Sequence, residues 1–171
     1  MTKRLKQDMN FLEYPLWFQD CRLAATKESH VWKYRDGFIF RSGYSPPAAL
    51  DYMFLCFLML KSQQAGWKER IEVSRYEVLK GCGITPSKLT YRRFEESLTR
   101  WKMVGIEFKG LFYDGVEYQV MQFGVLDDWH ILEHKNRQVE VEFNRDWLQC
   151  SRHSTFFRFI DFADVNRLHH S

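Results

Sequence analysis

The sequence predicts an α+β fold of the winged-helix type, in which a helix-turn-helix is followed by a β-hairpin wing and additional antiparallel strands. Ser74, with Glu77 three residues later, is a capping box that begins a short helix, and Gly81 and Gly83 allow the chain to end that helix and turn. A longer helix follows, and after Met103 the hydrophobic period changes from helical to alternating. Two helices joined by a tight turn also occur in ordinary helical proteins. The winged-helix prediction therefore depends on the β-hairpin that follows the second helix.

The longer helix is predicted to have an apolar face and a charged face. Thr85 is its N-cap candidate, and Pro86 falls at the first helical position, where its missing N–H costs nothing. We expect the apolar face to lie in the core, and its residues are Tyr91, Phe94, Leu98 and Trp101. The residues of the opposite face are Arg92, Arg93, Glu96 and Arg100.

The segments before this helix pair are predicted in chain order. Residues 1–30 contain a hydrophobic island with Pro15 inside it, so we expect an irregular arm that packs on the body, serving as a semi-ordered leader or binding a partner. Residues 31–171 then form the winged-helix domain, beginning with two strands around an Asp36-Gly37 turn. A helix that runs to about Gln64 is apolar nearly all round and is predicted to be the buried centre, and residues 71–73 form a short strand.

Strands dominate after Met103. Residues 104–109 and 116–123 flank an Asp114-Gly115 turn, and we interpret this hairpin as the wing. Residues 125–132 and 139–143 form a further strand pair, and Asn144 caps a short helix. A last strand over 156–162 leads into the start of a helix, so we expect this chain to be a fragment of a longer protein.

Composition excludes several classes of protein. A chain of 171 residues with 45% apolar and 17% aromatic residues is not disordered. The longest apolar run, Tyr52–Leu60, is too short for a membrane span, and the scattered cysteines indicate a reduced, cytoplasmic protein. The net charge of +3 is modest, but residues 80–102 alone carry six cations and two anions, which gives +4.

We expect neither an enzyme nor a metal or cofactor site. His130 and His134 are four residues apart, but no further ligand completes a zinc site. The sequence also lacks a nucleophile elbow and a phosphate-binding glycine loop.

Double-stranded DNA is the partner that the charge pattern favours. The candidate contacts lie at the start of the longer helix, and they are Thr85, Ser87, Lys88, Arg92 and Arg93. The alternative is that Arg92–Glu96 and Glu96–Arg100 are i,i+4 ion pairs on a solvated face. The residues alone leave these two interpretations equally open.

Four stretches resemble the replication initiator protein A family of bacterial plasmids. They are residues 10–18 (N-F-L-E-Y-P-L-W-F), 74–84 (S-R-Y-E-V-L-K-G-C-G-I), 91–109 (Y-R-R-F-E-E-S-L-T-R-W-K-M-V-G-I-E-F-K) and 141–148 (V-E-F-N-R-D-W-L). The resemblance implies a plasmid replication initiator that binds origin repeats, helps to melt the adjacent duplex and recruits the host replicative helicase. It also implies two winged-helix units, of which this chain holds the first, together with a homodimer interface. In that case Lys88, Arg92 and Arg93 contact the DNA backbone rather than bases.

Two alternatives to an origin-binding domain remain open. One is a protein-interaction module for dimerisation or helicase recruitment that does not touch DNA. The other is a winged-helix transcriptional regulator, which shares the fold and differs only in its target site.

Overall fold

A helix without a polar face lies at the centre of the molecule, as the sequence predicts. In the computed structural model, which describes residues 3–18, 30–35, 37–111 and 116–167, this helix spans Ala49–Gln64, and every side chain from Met53 to Leu60 is buried. We label it α2, because a short helix, α1 (Met9–Glu13), precedes it. The other helices are α3 (Arg75–Gly81), α4 (Lys88–Lys102), α5 (Arg145–His153) and α6 (Phe162–Arg167).

Nine strands of the described residues form three antiparallel sheets. The strands are β1 (Arg4–Asp8), β2 (His30–Arg35), β3 (Phe38–Ser42), β4 (Arg70–Val73), β5 (Val104–Leu111), β6 (Glu117–Gly124), β7 (Leu126–Leu132), β8 (Gln138–Phe143) and β9 (Phe157–Asp161). Their order is β1-β9 in the first sheet, β2-β3-β5-β6 in the second and β4-β8-β7 in the third. The predicted strands and helices after Met103 are therefore confirmed.

The hairpin that we interpreted as the wing belongs to a different sheet from the strand before the helix pair. β5 and β6 do form a hairpin, although its Asp114-Gly115 turn lies outside the described residues. β5 pairs on its other side with β3, where Ile106 faces Phe40. β4 pairs instead with β8, where Ile71 faces Val141 and both are buried. The register is set by matching buried apolar rows, which cannot be read from chain order.

The N-terminal segment is more regular than Pro15 suggests. β1 pairs with β9 over its whole length, and Leu5 is buried. Asp8 caps α1 by accepting a hydrogen bond from the backbone N–H of Asn10 at 2.8 Å. Pro15 follows both elements, so it interrupts neither. The expectation of an irregular segment is wrong for residues 4–13.

The described helices include none with the length and apolarity needed to cross a membrane.

Candidate nucleic-acid interface

The helix corner predicted from Ser74 and the glycines is present. The Ser74 hydroxyl accepts from the backbone N–H of Glu77 at 3.0 Å, which begins α3. Gly83 has φ of +71°, the left-handed conformation that turns the chain toward α4. A Cβ added at Gly81 would lie 2.2 Å from the ring of Phe57 on α2, so this glycine lets α3 pack closely against the central helix.

The N-cap of α4 is Ser87, not Thr85. The Ser87 hydroxyl accepts from the backbone N–H of Thr90 at 3.2 Å, and the Thr90 hydroxyl accepts from the backbone N–H of Ser87 at 2.8 Å. The Thr90 hydroxyl also lies 3.0 Å from the carbonyl oxygen of Thr85. This reciprocal cap moves the start of the helix to Lys88, two residues after Pro86.

The apolar face of α4 lies in the core as predicted, but Arg100 lies there too. Phe94, Leu98 and Trp101 are fully buried, and Arg100 is only 3% exposed. Its guanidinium contacts Asp51 on α2 at 3.2 Å and the Ser45 hydroxyl at 2.8 Å. The expectation that Arg100 belongs to the solvated face is therefore wrong, because it has a buried acidic partner from a distant part of the chain.

Two further cations near α4 are held by carboxylates. Arg75 binds Glu95 at 2.9 Å and stacks on the Tyr91 ring at 4.7 Å, so it covers the half-buried edge of the apolar face. Lys102 contacts Asp128 on β7 at 3.2 Å, and the hydrogen bond from Lys102 is the main cause that lowers the pKa of Asp128. These two cations hold α4 against its neighbours. Because each is already paired with a carboxylate, it is less available to an anionic partner than an unpaired cation is.

The first half of α4 has a different electrostatic environment. Lys88 and Arg92 are exposed, and Arg93 is partly exposed. Within the described part of the chain, no carboxylate forms an ion pair with any of the three, and the alternative Arg92–Glu96 pair is not formed; Glu96 approaches Arg100 instead, at 3.8 Å. We call Lys88, Arg92 and Arg93 the basic start of α4.

The backbone and two hydroxyls complete this surface. Thr85 and Ser87 are exposed beside the basic start of α4, although the Ser87 hydroxyl already serves the cap. The N–H groups of Lys88 and Leu89 have no acceptor among the described residues, as expected for the first turn of a helix. Unpaired N–H groups beside cations favour the binding of an anionic oxygen, such as that of a phosphate. All five residues predicted as DNA contacts therefore lie at one end of α4.

Sequence reasoning missed Leu89, whose side chain is 72% exposed in the middle of this charged surface. The signal was available, because Leu89 precedes Arg92 and Arg93 by three and four residues and so shares their helix face.

His130, one of the two histidines considered as metal ligands, contacts carboxylates at the surface. His130 lies 2.9 Å from Glu140 and 3.8 Å from Asp128 across β7 and β8. Among the residues with described positions, no group of three or more His, Cys, Asp or Glu side chains is placed to hold a metal ion.

Comparisons with known proteins find similarity at the level of structure. No protein-family model and no curated protein matches the chain. A crystal structure of selenomethionine derivatives of domains 2 and 3 of RctB is similar over 68% of this chain and 49% of that one, with 11% identity and a TM-score of 0.49. A second structure of these domains gives 11% identity over 68% of this chain and 47% of that one, with a TM-score of 0.43. This chain spans about half the length of both structures, and with both TM-scores below 0.5 the likeness carries no argument about fold or function.

Proposed function

We propose that this chain is a DNA-binding domain of a plasmid replication initiator, and that the basic start of α4 contacts the phosphates of duplex DNA. The observation that supports this most strongly is the partition of charge along α4. The cations that hold the helix in place have acidic partners, whereas Lys88, Arg92 and Arg93 have none among the described residues. Exposed cations without partners, beside unpaired N–H groups, suit a polyanion.

We also propose that the domain is a winged helix, but with a different wing from the β5–β6 hairpin that the sequence predicts. In a winged helix the strand before the helix pair joins the sheet of the wing. Here β4 precedes α3 and α4 and pairs with β8 in the sheet β4-β8-β7. We therefore assign the wing to β7–β8 and regard β5–β6 as part of a separate sheet inserted after α4.

A duplex-binding titration at several salt concentrations tests this function. The variant is Arg92→Glu with Arg93→Glu, and the control is Lys68→Glu with Lys109→Glu, which changes the net charge equally at exposed sites on other parts of the surface. We expect the α4 variant to bind origin-repeat duplex more weakly. Because each phosphate contact contributes roughly 0.9 to the slope of log affinity against log salt, losing two contacts should lower that slope by about 1.8.

The control variant distinguishes direct contact between α4 and the DNA from a general effect of the protein's net charge. If both variants lose the same affinity and the same slope, the basic start of α4 is not the contact surface. If neither binds differently from the unaltered chain, the DNA-binding role of this helix is wrong. Thermal unfolding of each variant checks that the fold is intact.

Self-association is a second candidate, supported by the edges of the four-stranded sheet. β2 and β6 are its outer strands, and each exposes a valine to solvent, namely Val31 on β2 and Val120 on β6. Edge strands with exposed apolar side chains can pair with a second copy. A concentration-dependent dimer in sedimentation that Val120→Lys abolishes would support a homodimer, and a monomer at all concentrations would exclude it. Helicase recruitment stays a prediction of the family resemblance.

A further inference from the structure

A second surface, far from α4 in sequence, combines exposed aromatic rings with cations. On β9 and just before it, Phe156, Phe157 and Phe159 are 66%, 39% and 56% exposed. The rings of Phe157 and Phe159 are 5.4 Å apart at an interplanar angle of 83°. Exposure of three neighbouring phenylalanines is unusual for a protein surface that contacts only water.

The strand register places cations on the same side of this sheet. Lys6 lies opposite Phe159, and Arg4 lies opposite Asp161, so both share the face of Phe157 and Phe159. The Lys6 ammonium lies 4.2 Å from the centroid of the Phe157 ring and donates to the backbone carbonyl of Arg152 at 2.6 Å. We call this surface the aromatic–basic face. Arg4, Lys6, Phe157 and Phe159 form it, and two exposed residues border it, namely Arg152, whose carbonyl accepts from Lys6, and Phe156, which precedes Phe157.

Two carboxylates, Asp8 and Asp161, lie near this face, against the three cations Arg4, Lys6 and Arg152. Asp8 is buried, caps α1 and accepts a hydrogen bond from the Ser154 hydroxyl at 2.6 Å. Asp161 accepts from the backbone N–H of Ala163 at 3.0 Å. No ion pair joins Arg4 or Arg152 to a carboxylate among the described residues. The rings are therefore bordered by more cations than carboxylates, and the side chains of Arg4 and Arg152 have no ion pair among the described residues.

We propose that the aromatic–basic face binds single-stranded nucleic acid. Phenylalanine rings offer flat surfaces on which unpaired bases stack, and the cations on the same face can contact the phosphates that link those bases. Duplex DNA fits less well, because its bases are already stacked inside the helix. A second copy of this chain also fits less well, because it would bring the cations of two identical faces together. This proposal uses none of the residues assigned to duplex binding.

Fluorescence anisotropy with labelled oligothymidylate and oligouridylate of about 20 nucleotides tests the proposal, since one binding unit covers roughly 4–16 nucleotides. The variant is Phe157→Ala with Phe159→Ala, and the control is Tyr76→Ala, which removes an exposed aromatic side chain from α3. We expect the phenylalanine variant to bind about tenfold more weakly or worse, and the control to bind normally. A second variant, Arg4→Glu with Arg152→Glu, should lower the salt slope by about 1.4, at roughly 0.7 per phosphate on a single strand.

Three results would overturn the proposal. The first is that the unaltered chain binds neither oligonucleotide at low salt. The second is that the phenylalanine variant, shown by circular dichroism to be folded, binds as well as the control. The third is that sedimentation finds a dimer that the phenylalanine variant dissolves, which would make this face a self-association surface. A preference between the two oligonucleotides identifies DNA or RNA as the partner. The variant Arg92→Glu with Arg93→Glu distinguishes this proposal from the proposed function, because it should lose binding to duplex DNA and keep binding to single strands.

Discussion

The buried ion pair between α2 and α4 is the interaction whose loss should cost the fold most. Asp51 is fully buried and accepts from the Arg100 guanidinium at 3.2 Å and from the backbone N–H of Ala48 at 2.7 Å. Asp51→Ala removes both contacts and leaves a buried guanidinium without its main partner. Removing one member of a buried pair costs about 3–5 kcal/mol, and losing a helix cap costs about 1 kcal/mol.

The remaining contacts of Arg100 decide where in this range the value falls. The Ser45 hydroxyl stays at 2.8 Å, and Glu96 lies 3.8 Å from the guanidinium at the edge of solvent. Because these contacts compensate in part, we expect Asp51→Ala to lower the free energy of unfolding by about 3 kcal/mol in total. Domains of this size are typically stable by about 5–15 kcal/mol, so the shift of the urea midpoint should be large.

Urea denaturation followed by tryptophan fluorescence measures this cost, since the Trp101 indole N–H donates to the Asp51 backbone carbonyl at 2.8 Å. The double variant Asp51→Leu with Arg100→Met should be more stable than Asp51→Ala, because apolar side chains in place of a buried ion pair are often neutral. Glu72→Ala, which removes an exposed pair with Lys135 at 2.7 Å, is the matched control and should cost under about 1 kcal/mol. A cost for Asp51→Ala no larger than that of the control would refute the reasoning.

Three further predictions test the helix corner and the core. Gly81→Ala should lower stability by about 1–3 kcal/mol through its clash with Phe57, and Phe57→Leu in the same chain should recover part of that loss in urea denaturation. Ser87→Ala should cost about 1 kcal/mol by removing the cap of α4, whereas an equal or larger loss in Thr85→Ala would contradict the assignment of the N-cap. Burial raises the pKa of the Cys56 thiol from 9.0 to about 12, so the unfolded chain loses this proton at a lower pH than the folded chain does. The contribution of the Cys56 thiol to the free energy of unfolding should be complete below pH 9.0 and be lost as the pH rises toward 12. In Cys56→Ala, the free energy of unfolding measured by urea denaturation should therefore fall less between about pH 8 and about pH 10.5 than in the unaltered chain.

Local patterns in the sequence predicted the elements well, because their signals lie within a few residues. Ser74, Asn144 and the apolar run of α2 each act on their own neighbourhood, and all three have the predicted roles. The N-cap of α4 was misplaced by two residues because Thr85, Ser87 and Thr90 are all capping residue types. Only the reciprocal hydrogen bonds between Ser87 and Thr90 distinguish them.

Long-range pairing could not be predicted in the same way. β4 could have paired with β6 as readily as with β8, since both are alternating strands, and the choice depends on the buried rows of the whole sheet. The partner of Arg100 is likewise 49 residues away, whereas the sequence pattern drew attention to Glu96, four residues away. A local pattern of charges therefore assigned a buried, structural arginine to the exposed face.

The correction at Arg100 strengthens the case for the opposite end of the same helix. Counted by sequence alone, the charge of residues 80–102 is spread along α4 and the turn before it, and i,i+4 pairs with Glu96 explain it as an ordinary solvated face. In the structure, Asp51 pairs with Arg100, Asp128 pairs with Lys102, and Glu95 pairs with Arg75. Ion pairing thus neutralises the second half of the helix, whereas the cations of its first half are exposed or partly exposed and have no carboxylate partner among the described residues. In the proposed function these three cations gain from the phosphates of the duplex the anionic partners that the described residues do not give them.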